Sequence, residues 1–192
     1  MKMLEERILK NGRNLGNGIL KVDGFINHQV DPQLMDACGK EFAARFKAVG
    51  ATKVLTAEIS GIAPALMTAL ALRLPIVYAR KTKPNTMPDQ VFLTLAPSHT
   101  KGRTIELIVS PEFIAEGDKV LIIDDFLATG QTILGLVRLA QAAGATVVGI
   151  GALIEKTFDG GRGLLAPVGV PVEALAVITD MQDGKLVFDS AE

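Results

Sequence analysis

The segment VLIIDDFLATGQT, Val120 to Thr132, constrains the fold of this chain more than any other. An unbroken apolar run ends in two adjacent aspartates, Asp124 and Asp125. A short loop, Ala128 to Thr132, then opens a stretch with helical spacing. A run that is apolar at every position belongs to a strand covered on both faces, the usual condition of a parallel sheet. Parallel neighbours need a crossover, and the sequence supplies one: Gln131 to Ala143 reads as a helix and Thr146 to Ile154 as the next strand. Upstream the order repeats, with Lys53 to Ala57 as strand, Ile62 to Arg73 as helix and Pro75 to Ala79 as strand. Val172 to Ile178 adds a further strand. The pattern predicts a doubly wound α/β fold, a mostly parallel twisted sheet with helices on both faces. Its ligands should gather at the C-terminal strand edge.

The remaining segments fit one domain over residues 1–192. Met1 to Lys10 reads as a short amphipathic helix with Leu4, Ile8 and Leu9 on one side, and Asn11 to Asn17 as a turn. Ile19 to Val22 reads as a brief strand. Pro32 to Val49 is predicted helical, with Pro32 near its start and Gly50 at its end. Thr82 to Ser110 breaks the alternation. It carries three prolines, one glycine and two extended candidates, Val91 to Ala96 and Thr104 to Val109, and is expected to be a flexible hairpin projecting from the sheet as a lid. A net charge of −1 gives no reason to expect nucleic acid as a partner. The single Cys38, on a helix beside apolar neighbours, excludes an internal disulfide, suits a reducing compartment and is expected to be inert. The charged N-terminus lacks a signal-peptide core, and Ile62 to Leu72 and Ala145 to Ile154 are too short to span a bilayer. A cytoplasmic location without membrane contact is therefore expected.

Several residues carry chemistry. Asp124 and Asp125 can cap the following helix, or, at a strand edge beside a Gly-containing turn, face sugar hydroxyls or an electron-poor carbon. Ala128, Thr129, Gly130, Gln131 and Thr132 offer backbone N–H groups and hydroxyls at a helix N-terminus, a setting that binds phosphate. The absence of a lysine sets this loop apart from a nucleotide-triphosphate loop and favours a monophosphate. Together the acids and the loop describe a site for a phosphorylated sugar. Glu58 to Ile62 is either an ordinary turn capped by Ser60 or a second anion loop. Arg80 and Lys81 are a solvated pair or a counter-charge for an anion, and Lys156 is a solvated lysine or a donor to a ligand. His28 and His99 read as surface residues. Gly161 to Ala166 matches GxGxxA with Asp180 about 20 residues on, but Pro167 and Gly169 cut short the helix a dinucleotide site needs.

VLIIDDFLATGQT resembles the phosphoribosyl-pyrophosphate signature of the type I phosphoribosyltransferases. The resemblance extends through Ile19–Met35, Ala57–Leu72, Val77–Lys81 and Gly149–Phe158, nearly the whole chain. It implies that fold, with a small hood from about residues 15–36 plus the C-terminal segment and a flexible lid over about 82–110. It implies that Asp124 and Asp125 hold the ribose hydroxyls and favour a cationic C1. The Ala128–Thr132 loop would bind the 5′-phosphate, and Glu58, Ser60, Gly61, Arg80 and Lys81 the pyrophosphate, with Gly61 allowing close backbone approach. Leu20, Asn27, Phe126, Lys156 and Phe158 would hold the base, Lys156 donating to an exocyclic oxygen and Phe158 stacking. Asn27 has an equal claim as a turn cap before Asp31. Ala128 departs from hypoxanthine-guanine members, which carry an aspartate there that acts as base toward the purine. The implied reaction moves 5-phosphoribose from phosphoribosyl pyrophosphate to xanthine, with Mg²⁺ carried by the diphosphate and no protein metal site. A homodimer with Arg80 and Lys81 near the subunit boundary is also implied. Hypoxanthine, guanine or orotate as acceptor, or a regulator that binds the donor without catalysis, are the rival readings.

Overall fold

The computed structural model describes residues 1–97 and 104–189. His99 lies outside them. Six strands form the main sheet: β3 (Lys53–Ala57), β4 (Ile76–Ala79), β7 (Lys119–Leu127), β8 (Thr146–Lys156), β9 (Val172–Asp180) and β10 (Val187–Phe188). Their spatial order is β10-β9-β8-β7-β3-β4, and all pairs are parallel except β10 on β9. The chain runs outward from β3 to β4, then returns to β7 and builds in the opposite direction through β8 and β9. The strand order therefore reverses between β3 and β7, and a doubly wound sheet opens a ligand crevice at that point.

Both faces of the sheet are covered, as the continuous apolar runs require. Along β7 the side chains alternate between two cores. Leu121 and Ile123 pack with Met35, Phe42 and Phe46 of the α2 (Pro32–Arg45) region and Ala65 and Ala69 of α3 (Ile62–Leu72). Val120 and Ile122 pack with Ile133, Leu136 and Val137 of α4 (Gln131–Ala142). This alternation of a strand with period two, buried on both sides, produces a run with no polar position.

α1 (Lys2–Asn11) buries Leu4 and Ile8 but leaves Leu9 exposed, so the predicted apolar side is narrower than expected. Arg7 ties this helix to the next through Asp31, at 2.7 Å. Asp31 is also the N-cap of α2, accepting from Gln33 N and Leu34 N at 3.1 Å each ahead of Pro32 at the first turn. Between the helices, β1 (Arg13–Asn14) and β2 (Leu20–Lys21) form a small antiparallel pair, followed by a wide helical turn at Asp23–Asn27. α2 stops at Arg45, four residues before the predicted end, and the chain turns before Gly50.

Two further expectations are corrected. β7 does not end at the aspartates: Asp124, Phe126 and Leu127 still pair with Ala152, Ile154 and Glu155 of β8. Backbone pairing is indifferent to side-chain polarity, and the two acids sit within the strand. β5 (Phe92–Pro97) and β6 (Thr104–Val109) do form an antiparallel hairpin, but its base does not project freely. Arg80 bridges Ile108 through two backbone hydrogen bonds of 2.8 and 2.9 Å, and Ala96, Leu107 and Val109 are buried in the core with α4. No helix among the described residues is long and apolar enough to cross a membrane.

Candidate active site

A cavity of about 360 Å³ opens where the strand order reverses. It is built by the loop after β3, the end of β7, the start of α4, the end of β8 and the β2 region.

The phosphate-type loop owes its shape to Gly130, the N-cap of α4, at φ +75°. L-residues rarely adopt that conformation, and a side chain there would meet the carbonyl oxygen of Gly161 at 3.0 Å. Leu134 N donates to Gly130 O at 2.9 Å, which starts the helix ladder. The N–H groups of the first turn before it have no intrahelical acceptor and carry the positive end of the helix dipole. Ala128, Thr129, Gly130, Gln131 and Thr132 all line the cavity. Behind the loop lies α5 (Gly161–Leu165), whose Gly161 N donates to Ala128 O at 2.9 Å. Arg162 anchors α5 by a fork onto buried Glu155, at 2.8 and 2.5 Å, and by a 2.8 Å bond to Val172 O. This five-residue helix is what became of the GxGxxA run.

Asp124 and Asp125 both face the cavity. Asp124 is only 6% exposed and accepts from Asp125 N at 2.9 Å. Burial first, and the neighbouring Asp125 charge second, push its carboxyl well above the ordinary 3.8, against a weaker pull from Lys81. Asp125 accepts from Phe126 N at 3.0 Å.

The loop after β3 brings Glu58 and Ser60 to the cavity, and Lys81 joins them from beyond β4. Glu58 links the two segments: its carboxylate pairs with the Arg80 guanidinium and accepts from Lys81 N at 3.0 Å. Arg80 points elsewhere, over the Tyr78 ring at 5.9 Å, and does not line this cavity. Gly61 is also set back. A Cβ there would stand 2.3 Å from Thr56 Oγ1 and 2.5 Å from Asp124 Oδ1, so the glycine makes room for neighbours in the protein.

At the opposite wall, Lys156 is the last residue of β8 and 7% exposed. Its ammonium donates to Gly18 O at 2.9 Å and is ion-paired with Asp159 at 2.9 Å, with donor capacity left for a ligand. Leu20, Asn27 and Phe126 line the cavity beside it. Asn27 ends the wide turn, while Asp31 does the capping. Phe158 is 46% exposed and outside the cavity lining, with its ring 5.9 Å from the Lys156 ammonium and against Gly18. His28 is exposed. Cys38 is fully buried and its thiol is pushed up to about 12, chiefly by that burial.

The sequence reading missed Gly18, Asp159 and Thr56. Asp159 was readable as a partner three residues from Lys156, and Thr56 as a polar interruption in an apolar strand. Nothing local marks the Gly18 carbonyl, since it meets Lys156 across 138 residues. Pro97 and Ile105, on either side of the hairpin tip, also line the cavity.

This arrangement, an acid pair on a central strand beside a helix-opening anion loop at the point of strand reversal, has the chemistry to hold a sugar phosphate on a nucleotide-type sheet. Residues 55–183 match the phosphoribosyl transferase domain, and the chain belongs to that family. The relatives are more specific. The chain is 48% identical to the xanthine phosphoribosyltransferase of Listeria innocua over 98% of both chains. It is 50% identical to that of Streptococcus pneumoniae over the full length of both. Among solved structures, adenine phosphoribosyltransferase from Rhodothermus marinus superposes with a TM-score of 0.73 at 29% identity, over 93% of this chain and all of that one.

Proposed function

We propose that this protein transfers 5-phosphoribose from 5-phospho-α-D-ribose 1-diphosphate to xanthine, giving xanthosine 5′-monophosphate and pyrophosphate. The observation that carries the reading is the convergence, in one cavity, of Asp124, Asp125, the Ala128–Thr132 loop, Glu58, Ser60, Lys81 and Lys156. The loop takes the 5′-phosphate on its free N–H groups and hydroxyls. The acid pair takes the ribose hydroxyls, and its charge favours the positive C1 of the transition state more than the neutral ground state. Ser60 and Lys81 face the departing pyrophosphate, with Glu58 fixing the Lys81 backbone. The diphosphate is taken as its Mg²⁺ complex, since that ion keeps several waters and prefers substrate phosphates.

Lys156 selects the acceptor. An ammonium only donates, so it suits an oxo group and opposes an amino group, which separates this site from the adenine enzymes of the same fold. Leu20, Asn27 and Phe126 complete the base wall, and Asn27 offers both a donor and an acceptor to a second oxo group. Phe158 covers the Lys156 end. Ala128 provides no acid or base, so xanthine reacts as the anion it forms near neutral pH. The rest of the reading follows the same chemistry: a hood from residues 15–36 and the C-terminal segment, closure of the 82–110 segment over C1 to exclude water, a cytoplasmic homodimer, and Arg80 near its boundary.

The test is an ultraviolet assay of each base with the donor and Mg²⁺. Turnover of xanthine well above hypoxanthine, guanine and adenine is expected, with a rate that tracks ionisation of the purine. A different preferred base overturns the acceptor assignment, and donor binding without product overturns catalysis.

A further inference from the structure

Thr56 lies in β3 with no exposed surface, yet its hydroxyl has no hydrogen-bond partner among the described residues. A buried hydroxyl left in this state loses its hydration without compensation, so such groups in native structures call for an explanation. The explanation lies at Gly61. The Thr56 hydroxyl and the Asp124 carboxylate flank the same bare Cα, at 2.3 and 2.5 Å from where a Cβ would stand. The missing side chain therefore brings an unpaired donor up to the more deeply buried of the two acids.

We propose that Thr56 is a positioning residue: its hydroxyl, unbonded as the structure stands, turns to donate to the neighbouring Asp124 carboxylate when that acid ionises, and then holds it charged and aimed at the sugar. The inference rests on the reading of the acid pair as the ribose grip. The groups around Asp124 explain the need. Asp125, next to it on β7, opposes its charge, while Lys81 beyond β4 favours it. Glu58 from the loop after β3 lines the same cavity but is paired with Arg80, and Lys156 at the end of β8 is already paired with Asp159. Asp124 receives one backbone N–H, from Asp125. A hydroxyl bonds a carboxylate more strongly than a neutral acid, so a donor at this point favours the ionised form. It does so without adding a charge that would compete with the phosphates.

The variants Thr56→Val, which keeps the shape and removes the donor, and Thr56→Ser, which keeps the donor, decide the matter. Carbon-13 NMR of the carboxyl groups, with Asp124 assigned through Asp124→Asn, follows its titration in the free protein. In Thr56→Val, Asp124 should titrate at higher pH than in the parent, while Thr56→Ser should follow the parent; Thr56→Ala carries the same expectation as the valine. In turnover, kcat should fall about tenfold in Thr56→Val, as expected for one charge-assisted hydrogen bond. The acid limb of its pH profile should move up, and Thr56→Ser should restore both. An unmoved titration in Thr56→Val overturns the assignment, and so does an equal shift in Thr56→Ser, which would make packing the cause. The NMR measurement needs no turnover, so a protein inactive on every base would refute the proposed reaction without deciding the role of Thr56.

Discussion

Two aspartates along β7, one just before the strand and one within it, stand in opposite condition. Asp118, just before the strand, accepts from Lys53 Nζ at 2.7 Å, Ala115 N at 2.9 Å and Thr52 Oγ1 at 3.3 Å. What burial it has pushes its carboxyl up, but the Lys53 bond and these other donors outweigh that and hold it below the ordinary 3.8. Asp124, six positions on, is more deeply buried, faces Asp125 and has one backbone donor. The first is solved as a folding problem: a charge with its full set of partners. The second lacks that set, with a like charge beside it, and this is the condition that the proposed ribose grip would use. The difference teaches that an aspartate at the N-terminal edge of this sheet is fully partnered within the fold, whereas one toward the C-terminal edge is buried with few partners of its own.

The sharpest way to break this comparison is Asp124→Asn. Loss of a charge that matters chiefly in the transition state should lower kcat/KM by about 10²–10³-fold, read from steady-state rates with the phosphoribosyl donor. The same variant should abolish one pH-dependent contribution to stability. A carboxyl whose native value is raised binds more protons folded than unfolded, so the stability that Asp124 contributes is lost as pH climbs above 3.8. Urea titrations across pH should show the parent losing stability relative to Asp124→Asn as pH rises above 3.8. Next in size is Arg162→Ala, which leaves Glu155 buried without its fork and should cost about 1.5–3 kcal/mol. It should also raise the KM for the donor through the loosened Ala128 loop. Gly61→Ala should cost roughly 1–3 kcal/mol by overpacking, with a clear loss of kcat because the new methyl pushes Asp124. The smallest effect belongs to the other end of the strand. Asp118→Asn should cost about 1 kcal/mol and leave turnover intact. Its pH dependence has the opposite sign: a lowered value stabilises above 3.8 and the benefit is lost as pH falls through it. Equal slopes for the two variants would end the contrast.

Much of this was legible in the chain. β3 falls where predicted, at Lys53–Ala57, because its apolar run and flanking turns agree. The helices after β3 and β7 followed from periodicity and their Gly boundaries. The illegible parts have physical causes. Asp124 and Asp125 looked like the end of β7 because polarity was read as exposure, yet the backbone ladder to β8 continues beneath them. The hairpin was read as free because its prolines break the helical pattern, but Ala96 and Leu107 find a surface on α4 that no local signal announces. At Gly61 the nearest constraints on a side chain are Thr56 and Asp124, which no local signal announces. Reading a glycine tells that space is needed, and not for whom.

The Glu155–Arg162 fork has an evolutionary consequence. On the proposed reading, the consecutive residues Glu155 and Lys156 serve opposite ends of a nucleotide: one fastens the strut behind the anion loop, the other confronts the purine. Altering this turn to accept a different nucleobase therefore disturbs the grip on the sugar's far end. New acceptor preferences should arise first around Leu20 and Asn27, whose segment can drift without slackening that strut.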